Sequence, residues 1–364
     1  MGTTTRYGIT YPELSAAPNA PSQMHTMADT IDTALGTAVD NMAGLSAGRE
    51  DQLVNGNFLI NQRAASSYTA SAASGKYTVD RWYLSSGTGA SNTVTPTAET
   101  LGTYADHDRY YLEWDRTTAG SADSYLEQRI EGVRTGNGTS ITVAILADVA
   151  SSTASLKVEV VQNFGTGGSP STAVTTTSTA LTISTSNTAQ YKTISIPSIS
   201  GKTIGSNGDD YVAIRLTRES GYGTGKIRLH RVGATLGTAQ VWPDKRPKQQ
   251  ELALCYRYCR GFTSSGLLPT VGIGSIALYS DANSFSMITY CWDASTFRTA
   301  PTMSFTGSQG TDWAVRSAAG VAQTGFTVSW SGGIYCQKTS HGLTNLGSLV
   351  VLTGSGRIVF DAEL

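Results

Sequence analysis

The densest run of side chains suited to recognition chemistry lies between Tyr104 and Trp114. It holds Tyr104, Asp106, His107, Asp108, Arg109, Tyr110, Tyr111, Glu113 and Trp114. Aromatic faces stack on sugar C–H groups, and planar carboxylates and guanidinium groups hydrogen-bond to hydroxyls. Strand alternation puts Tyr111 and Glu113 on one face, with Tyr110, Leu112 and Trp114 on the other, more apolar side that faces a core. Tyr104 and His107, in the loop before that strand, are the candidate glycan contacts. A second candidate is Trp313 with Asp312 and Arg316, in the Gly/Ser-rich segment GSQGTDWAVRS, read as a loop. Loops on rigid β scaffolds commonly carry binding. The other reading of Trp313 is a seal between subunits.

Catalytic and metal chemistry find little support. Asp209 and Asp210 are adjacent, so on a strand they point to opposite faces and cannot form a glycosidase pair. The four histidines, at 25, 107, 230 and 341, accompany no nucleophile elbow. There is no phosphate-binding glycine fingerprint in a strand–helix context, and no fixed repeat of the kind that builds β-helix depolymerases. Asp106, His107 and Asp108 lack the glycine turn and distant carboxylate of a calcium loop. Cys255 and Cys259 form one C-x3-C pair, while Cys291 and Cys336 are single, which is not a zinc spacing. Buried free thiols are the expectation. No catalytic residue, metal or cofactor is assigned, and the chain is read as a non-enzyme.

The elements that must position these residues are legible in the composition. The 364 residues include 39 Gly, 50 Thr and 41 Ser, so Ser and Thr make up a quarter of the chain. Charged residues are 15% and the net charge is -1, which argues against a nucleic-acid binder and a helical bundle. The 39% hydrophobic content and 17 Tyr exclude a disordered chain. What remains is stacked β-sheets joined by turns. The first thirty residues lack an apolar signal-peptide core, and no run approaches the roughly 18 apolar residues of a membrane span. Synthesis in the cytoplasm without a leader, and no membrane insertion, are therefore expected.

Residues 1–20 read as an extended arm, punctuated by Pro12 and Pro18. Residues 21–48 read as a helix, because Met24, Ala28, Ile31, Leu35, Ala38, Met42 and Leu45 follow alternating four- and three-residue steps. No Lys or Arg lies between residues 7 and 48, so the apolar seam alone must carry any association. Residues 53–243 alternate in segments such as YTVDRWYLSS, SYLEQRI and DYVAIRLTR, and read as an antiparallel jelly-roll β-sandwich. Residues 244–262 form a linker helix, over Lys248 to Arg260, with Leu252, Cys255, Tyr256 and Cys259 on one face and Gly261 as its stop. Residues 263–364 form a small C-terminal β domain. The fold class is thus mostly β, with an arm, two short helices, a sandwich and a β tip.

Several segments resemble a known family. NGNFLINQR followed by VDRWYL resembles the opening of a β-sandwich module in bacteriophage tail-fibre and minor tail proteins, at Asn55, Gly56, Asn57, Phe58, Gln62, Arg63, Asp80, Arg81 and Trp82. Glu251, Leu252, Cys255, Arg257 and Tyr258 stand where that family has its joint helix. FRTAPTMSFTG and RIVFDAEL look like its small terminal β domain, and residues 5–45 are similar to virion-attachment arms. The resemblance implies a virion protein with a carbohydrate-binding-module-like sandwich. It implies a homotrimer, with residues 1–48 read as the attachment to a tail or capsid protein; it does not identify the receptor, for which a host cell-surface polysaccharide is the expectation. Phe58 and Trp82 are expected in the core, with Asp80 and Arg81 pairing or capping turns. A polysaccharide-degrading tailspike and a decoration protein without receptor are the alternatives.

Overall fold

The computed structural model describes residues 50–98, 110–150, 153–221, 223–243 and 245–263, with shorter segments elsewhere. Those are residues 2–3, 10–11 and 31, and, after 263, residues 277–280, 284–289, 297–299, 301–306, 313–317, 322–323, 327–330, 334–339, 346–351 and 357–363. In the arm, β1 (Gly2–Thr3) pairs antiparallel with β2 (Thr10–Tyr11). Of the expected helical seam only Ile31 is described: it is helical and exposed. Met24, Ala28, Leu35, Ala38, Met42 and Leu45 lie outside the described residues.

Two antiparallel sheets face each other over residues 68–236. The strands are β3 (Tyr68–Ser71), β4 (Gly75–Tyr77), β5 (Tyr83–Ser85), β6 (Ser91–Ala98), β7 (Tyr110–Thr118), β8 (Ser124–Glu131) and β9 (Ser140–Asp148). They continue with β10 (Ala154–Asn163), β11 (Val174–Thr177), β12 (Leu181–Ile183), β13 (Thr188–Ser195), β14 (Tyr211–Arg218) and β15 (Gly225–Leu236). One sheet has the order β11-β10-β14-β8-β5-β4, with β12 also on β10, and is seven-stranded; the other is six-stranded, β13-β9-β15-β7-β6-β3. Chain neighbours repeatedly switch sheets, as in a jelly roll. The alternation seen in the sequence is the cause. On β8, Leu126 and Gln128 point inward, while Tyr125, Glu127 and Arg129 point out. Leu112 and Trp114 of β7 are fully buried, with Tyr111 and Glu113 on the opposite side, as expected. One continuous core joins both sheets through Leu84, Leu126, Val158 and Ile214 on one side and Val94, Trp114, Val143 and Leu229 on the other.

After the sandwich, α1 (Lys248–Cys255) is shorter than the sequence suggested. The chain turns at Tyr256–Tyr258, where Tyr258 N donates to Cys255 O, and the Arg81 guanidinium stacks 3.5 Å over the Tyr258 ring. Cys259 therefore begins a strand, and Tyr256 is exposed rather than packed with Cys255. Gly261 is not a helix stop: a Cβ there would sit 2.0 Å from Gln62 O, so the strand lies against the sandwich backbone. Cys255 and Cys259 are buried and free, as expected.

The C-terminal strands are β16 (Cys259–Thr263), β17 (Ala277–Ser280), β18 (Ser284–Thr289), β19 (Thr302–Thr306), β20 (Trp313–Ser317), β21 (Ala322–Gln323), β22 (Thr327–Trp330), β23 (Ile334–Thr339), β24 (Leu346–Val351) and β25 (Arg357–Asp361). They make three small sheets, β16-β25-β19, β17-β18-β23-β22 and β21-β20-β24. No helix among the described residues is long and apolar enough to cross a membrane.

Candidate functional site: the outer face of the seven-stranded sheet

The motif residues come first, because they show what is structural. Asn55 adopts φ 58°, and its side chain bridges the turn: Oδ1 accepts from Ile60 N at 2.9 Å, while Nδ2 donates to Ile60 O and Asp80 O at 2.8 and 3.0 Å. Asn55 N donates to the Glu251 carboxylate of α1, and Asn55 O accepts from the Trp82 indole. Asp80, fully buried, accepts from Gln62 N and Nε2 at 2.9 and 2.6 Å. Arg81 pairs with Glu363 at 2.5 Å, and Arg63 pairs with Asp361 at 2.6 Å. Phe58 and Trp82 pack in the core, 5.5 Å apart between rings. These residues therefore tie the sandwich to α1 and β25. Burial pushes the Asp80 carboxyl up to about 6, against the pull of Arg63. Such a group supports a joint, not ligand contact.

The six-stranded sheet is partly overlaid. Pro243 packs where a Gly233 Cβ would lie, and Arg231 donates to Pro243 O at 2.9 Å while its guanidinium sits 4.8 Å over Trp242. Val232 N donates to Gly56 O and Gln52 N to Ala234 O, so residues 52–56 lie against β15.

The opposite face, on the seven-stranded sheet, carries a different set. One row of paired residues crosses six strands: Tyr77, Tyr83, Glu127, Arg215, Glu159 and Thr177. At strand spacing this row is about 24 Å long. Tyr125 and Arg129 flank Glu127 on β8, and Tyr211 stands four residues before Arg215 on β14. Tyr77, Tyr83, Tyr125 and Tyr211 are all half-buried. Glu127 is 1% exposed beneath them. It accepts from Arg129 Nε at 2.8 Å on one oxygen, and from Arg215 Nε and Nη2 at 2.9 and 2.8 Å on the other.

The guanidinium groups are held flat by aromatic rings. Arg129 lies 4.7 Å from the Tyr83 centroid and 4.9 Å from that of Tyr211, making a diagonal Tyr–Arg–Tyr line. Arg215 lies 3.7 Å over Tyr125. Gly75 makes room for this: a Cβ there would meet the Tyr83 hydroxyl at 2.1 Å. Burial opposes the Arg129 charge, yet Tyr77, Glu127 and Tyr211 hold its proton above the ordinary range. Burial also raises the Tyr83 and Tyr211 phenols. The hydroxyls therefore stay protonated near neutral pH and can both donate and accept. At one end Glu131 takes both arms of Arg257 at 3.0 and 2.8 Å, and Arg298 stands 3.6 Å away. Burial works against the Glu131 charge, but hydrogen bonds from Arg257 and Tyr258 hold its carboxyl below the ordinary range. The face is thus a fixed platform of planar, hydrogen-bonding and aromatic groups.

The residues singled out from the sequence stand elsewhere. Tyr104, His107 and Asp312 lie outside the described residues. Trp313 and Arg316 belong to β20, paired with Val351 and Ser348, and not to a loop. The WAVRS alternation supports a strand there, which outweighs the Gly/Ser flank. The tyrosines of the platform were not singled out, although SYLEQRI and DYVAIRLTR already place Tyr125, Glu127 and Arg129, and Tyr211 and Arg215, on one strand face each. Among the described residues no His/Cys/Asp/Glu group forms a metal-binding cluster.

No family model matches the chain, and no curated protein matches it. Solved structures do. The chain is similar to the family 11 carbohydrate-binding module from Clostridium thermocellum in complex with a β-1,3-1,4-mixed-linked tetrasaccharide. Identity is 11%, covering 49% of this chain and 99% of that one, with a TM-score of 0.30. It is similar to the enzymatically active domain of tailspike protein 4 from bacteriophage CBA120, at 15% identity, over 51% of this chain and 21% of that one, with a TM-score of 0.28. A Stig cyclase from Fischerella sp. TAU is 15% identical over 53% of this chain and 100% of that one, with a TM-score of 0.31.

Proposed function

We propose that the protein is a bacteriophage fibre subunit that attaches the particle to host surface glycans, and that the outer face of the seven-stranded sheet is its binding surface. The observation that carries the reading is the platform itself: half-buried tyrosines interleaved with guanidinium groups whose orientation is fixed by Glu127. Sugars are recognised by aromatic rings and by planar hydrogen-bonding groups held in place beforehand. The motif resemblance at Asn55–Phe58, Gln62–Arg63 and Asp80–Trp82 supports the virion role. Residues 1–48 provide attachment and the apolar seam provides self-association, as a homotrimer. Both Glu127 oxygens are taken up by Arg129 and Arg215, so the buried carboxylate serves to orient the two guanidinium groups, which supports the binding reading.

The test has two arms. Purified protein is incubated with host cells before phage is added, and adsorption is measured. The same protein is incubated with host capsule or lipopolysaccharide, and reducing ends are followed. Blocked adsorption without new reducing ends is expected. Released reducing ends would make the protein a degrading tailspike. Unhindered adsorption would leave it a structural subunit.

A further inference from the structure

The charge pattern of the platform narrows the ligand. The outward charged positions of its strands are Arg129, Arg215 and Lys157, against Glu127, Glu131 and Glu159. Each is matched at short range. Arg129 and Arg215 share Glu127, and Arg215 also stands 3.7 Å from Glu159. Lys157 pairs with Glu219, and Glu131 with Arg257 and Arg298. Thr177 and Thr217 donate to the two Glu159 oxygens at 3.1 and 2.9 Å, which fixes that carboxylate beside Arg215.

An acidic glycan needs cations whose charge is not already neutralised nearby. Here each guanidinium has its partner from within the fold, and Glu127 is shielded from solvent beneath the rings. A carboxylated or sulfated chain laid on this face would meet Glu159 as well as Arg215. A neutral sugar loses nothing by that pairing, because it meets the rings and phenols of Tyr83, Tyr125 and Tyr211, which carry no net charge.

We propose that the platform selects neutral glycans and disfavours acidic ones, with Glu159 as the residue that sets this preference. The inference rests on the glycan reading above and names the ligand class of that same surface.

The experiment is affinity electrophoresis of the full chain in gels containing dextran, mannan or galactan as neutral probes, and polygalacturonate or alginate as acidic ones. Wild type and Glu159→Gln, Tyr83→Ala and Tyr211→Ala variants run side by side, at low and high salt. The expected result is retardation by a neutral probe that changes less than about twofold with salt, and is lost on Tyr83→Ala. Glu159→Gln keeps a side-chain oxygen for one threonine and is expected to raise retention on acidic probes by about threefold or more. Circular dichroism melting confirms that each variant is folded. Tight, salt-sensitive retention of the wild type on an acidic probe, lost on Tyr83→Ala, would overturn the neutral preference and leave the glycan-binding face intact. Retention on acidic probes unchanged by Glu159→Gln would remove Glu159 from the selection. No retention on any probe, with all variants alike, would sink both this inference and the glycan reading.

Discussion

Two buried carboxylates should make the sandwich less stable as pH rises toward neutrality, the reverse of ordinary acid unfolding. Asp51 Oδ1 accepts from Leu53 N and Ala234 N, both at 3.0 Å, and burial pushes its carboxyl from 3.8 up to about 7, with Arg246 only partly opposing. Asp80 is pushed from 3.8 to about 6 by burial, with Arg63 and Gln62 opposing. A folded-state value above the unfolded one means that the folded chain holds the proton more tightly. The stabilisation is then full below pH 3.8 and fades as pH rises through 6 to 7. Integrated from pH 5 to pH 8, Asp51 contributes a loss of about 3 kcal/mol and Asp80 about 1 kcal/mol. For a unit of this size the Asp51 part corresponds to a fall in Tm of about 5–10 °C. Glu131 and Asp209, which are shifted the other way, titrate below this window. The assay is thermal melting followed by circular dichroism at half-unit pH steps, on wild type and Asp51→Asn. The amide keeps an acceptor oxygen for Leu53 N and Ala234 N but cannot ionise. The variant should gain relative stability as pH rises, with the gap widening from about pH 4 to pH 7 and levelling off above it. A wild-type to variant difference that stays constant from pH 5 to 8 would refute the reasoning.

Other perturbations separate joint, platform and seam. Glu363→Ala leaves Arg81, 3% exposed, without its 2.5 Å partner; a loss of about 3–5 kcal/mol is expected by urea titration, and a loss below about 1 kcal/mol would place that arginine in solvent. Gly261→Ala puts a methyl 2.0 Å from a backbone oxygen and should lower stability by about 1–3 kcal/mol in the same assay. Tyr211→Ala should weaken glycan binding about three- to tenfold with little change in Tm, since its ring supports Arg129 from the outside. For the seam, Ile31→Asp with Leu35→Asp should abolish the oligomer in light scattering and leave the sandwich folded; a monomer mass for the wild type would remove the seam from assembly.

Much of the scaffold is legible in the sequence. Period-two alternation gave the strands, because each sandwich strand has one wet and one dry face. Phe58 and Trp82 fell in the core, and Asp80 and Arg81 in pairing roles, since a buried carboxylate and guanidinium need partners. The linker helix was overextended because Tyr256–Cys259 reads as helical spacing. The stacking of Arg81 on Tyr258 and the approach of Gly261 to Gln62 are tertiary facts that spacing does not carry. The platform was missed for a related reason. Tyr83, Tyr125 and Tyr211 are far apart in sequence and meet only through the register of β5, β8 and β14. A local search favours dense clusters such as Tyr104–Trp114, whereas a sheet face collects its residues one strand at a time.

That difference explains why the recognisable motif and the proposed binding surface do not coincide. Asn55, Gln62, Asp80 and Arg81 each bond to several groups, together reaching residues 55–63, 129, 251, 259 and 363, so a change at any of them strands a partner in the interior. Few residue types can fill such places. The platform residues bond mainly to one another at the surface. Exchanging Tyr211 there alters what the face can hold, and the side chain that loses a partner, Asn163, is itself only half-buried. A fold arranged this way can keep its joint fixed while its outer face takes up a new ligand. The motif then reports the scaffold, and the ligand must be read from the strand faces.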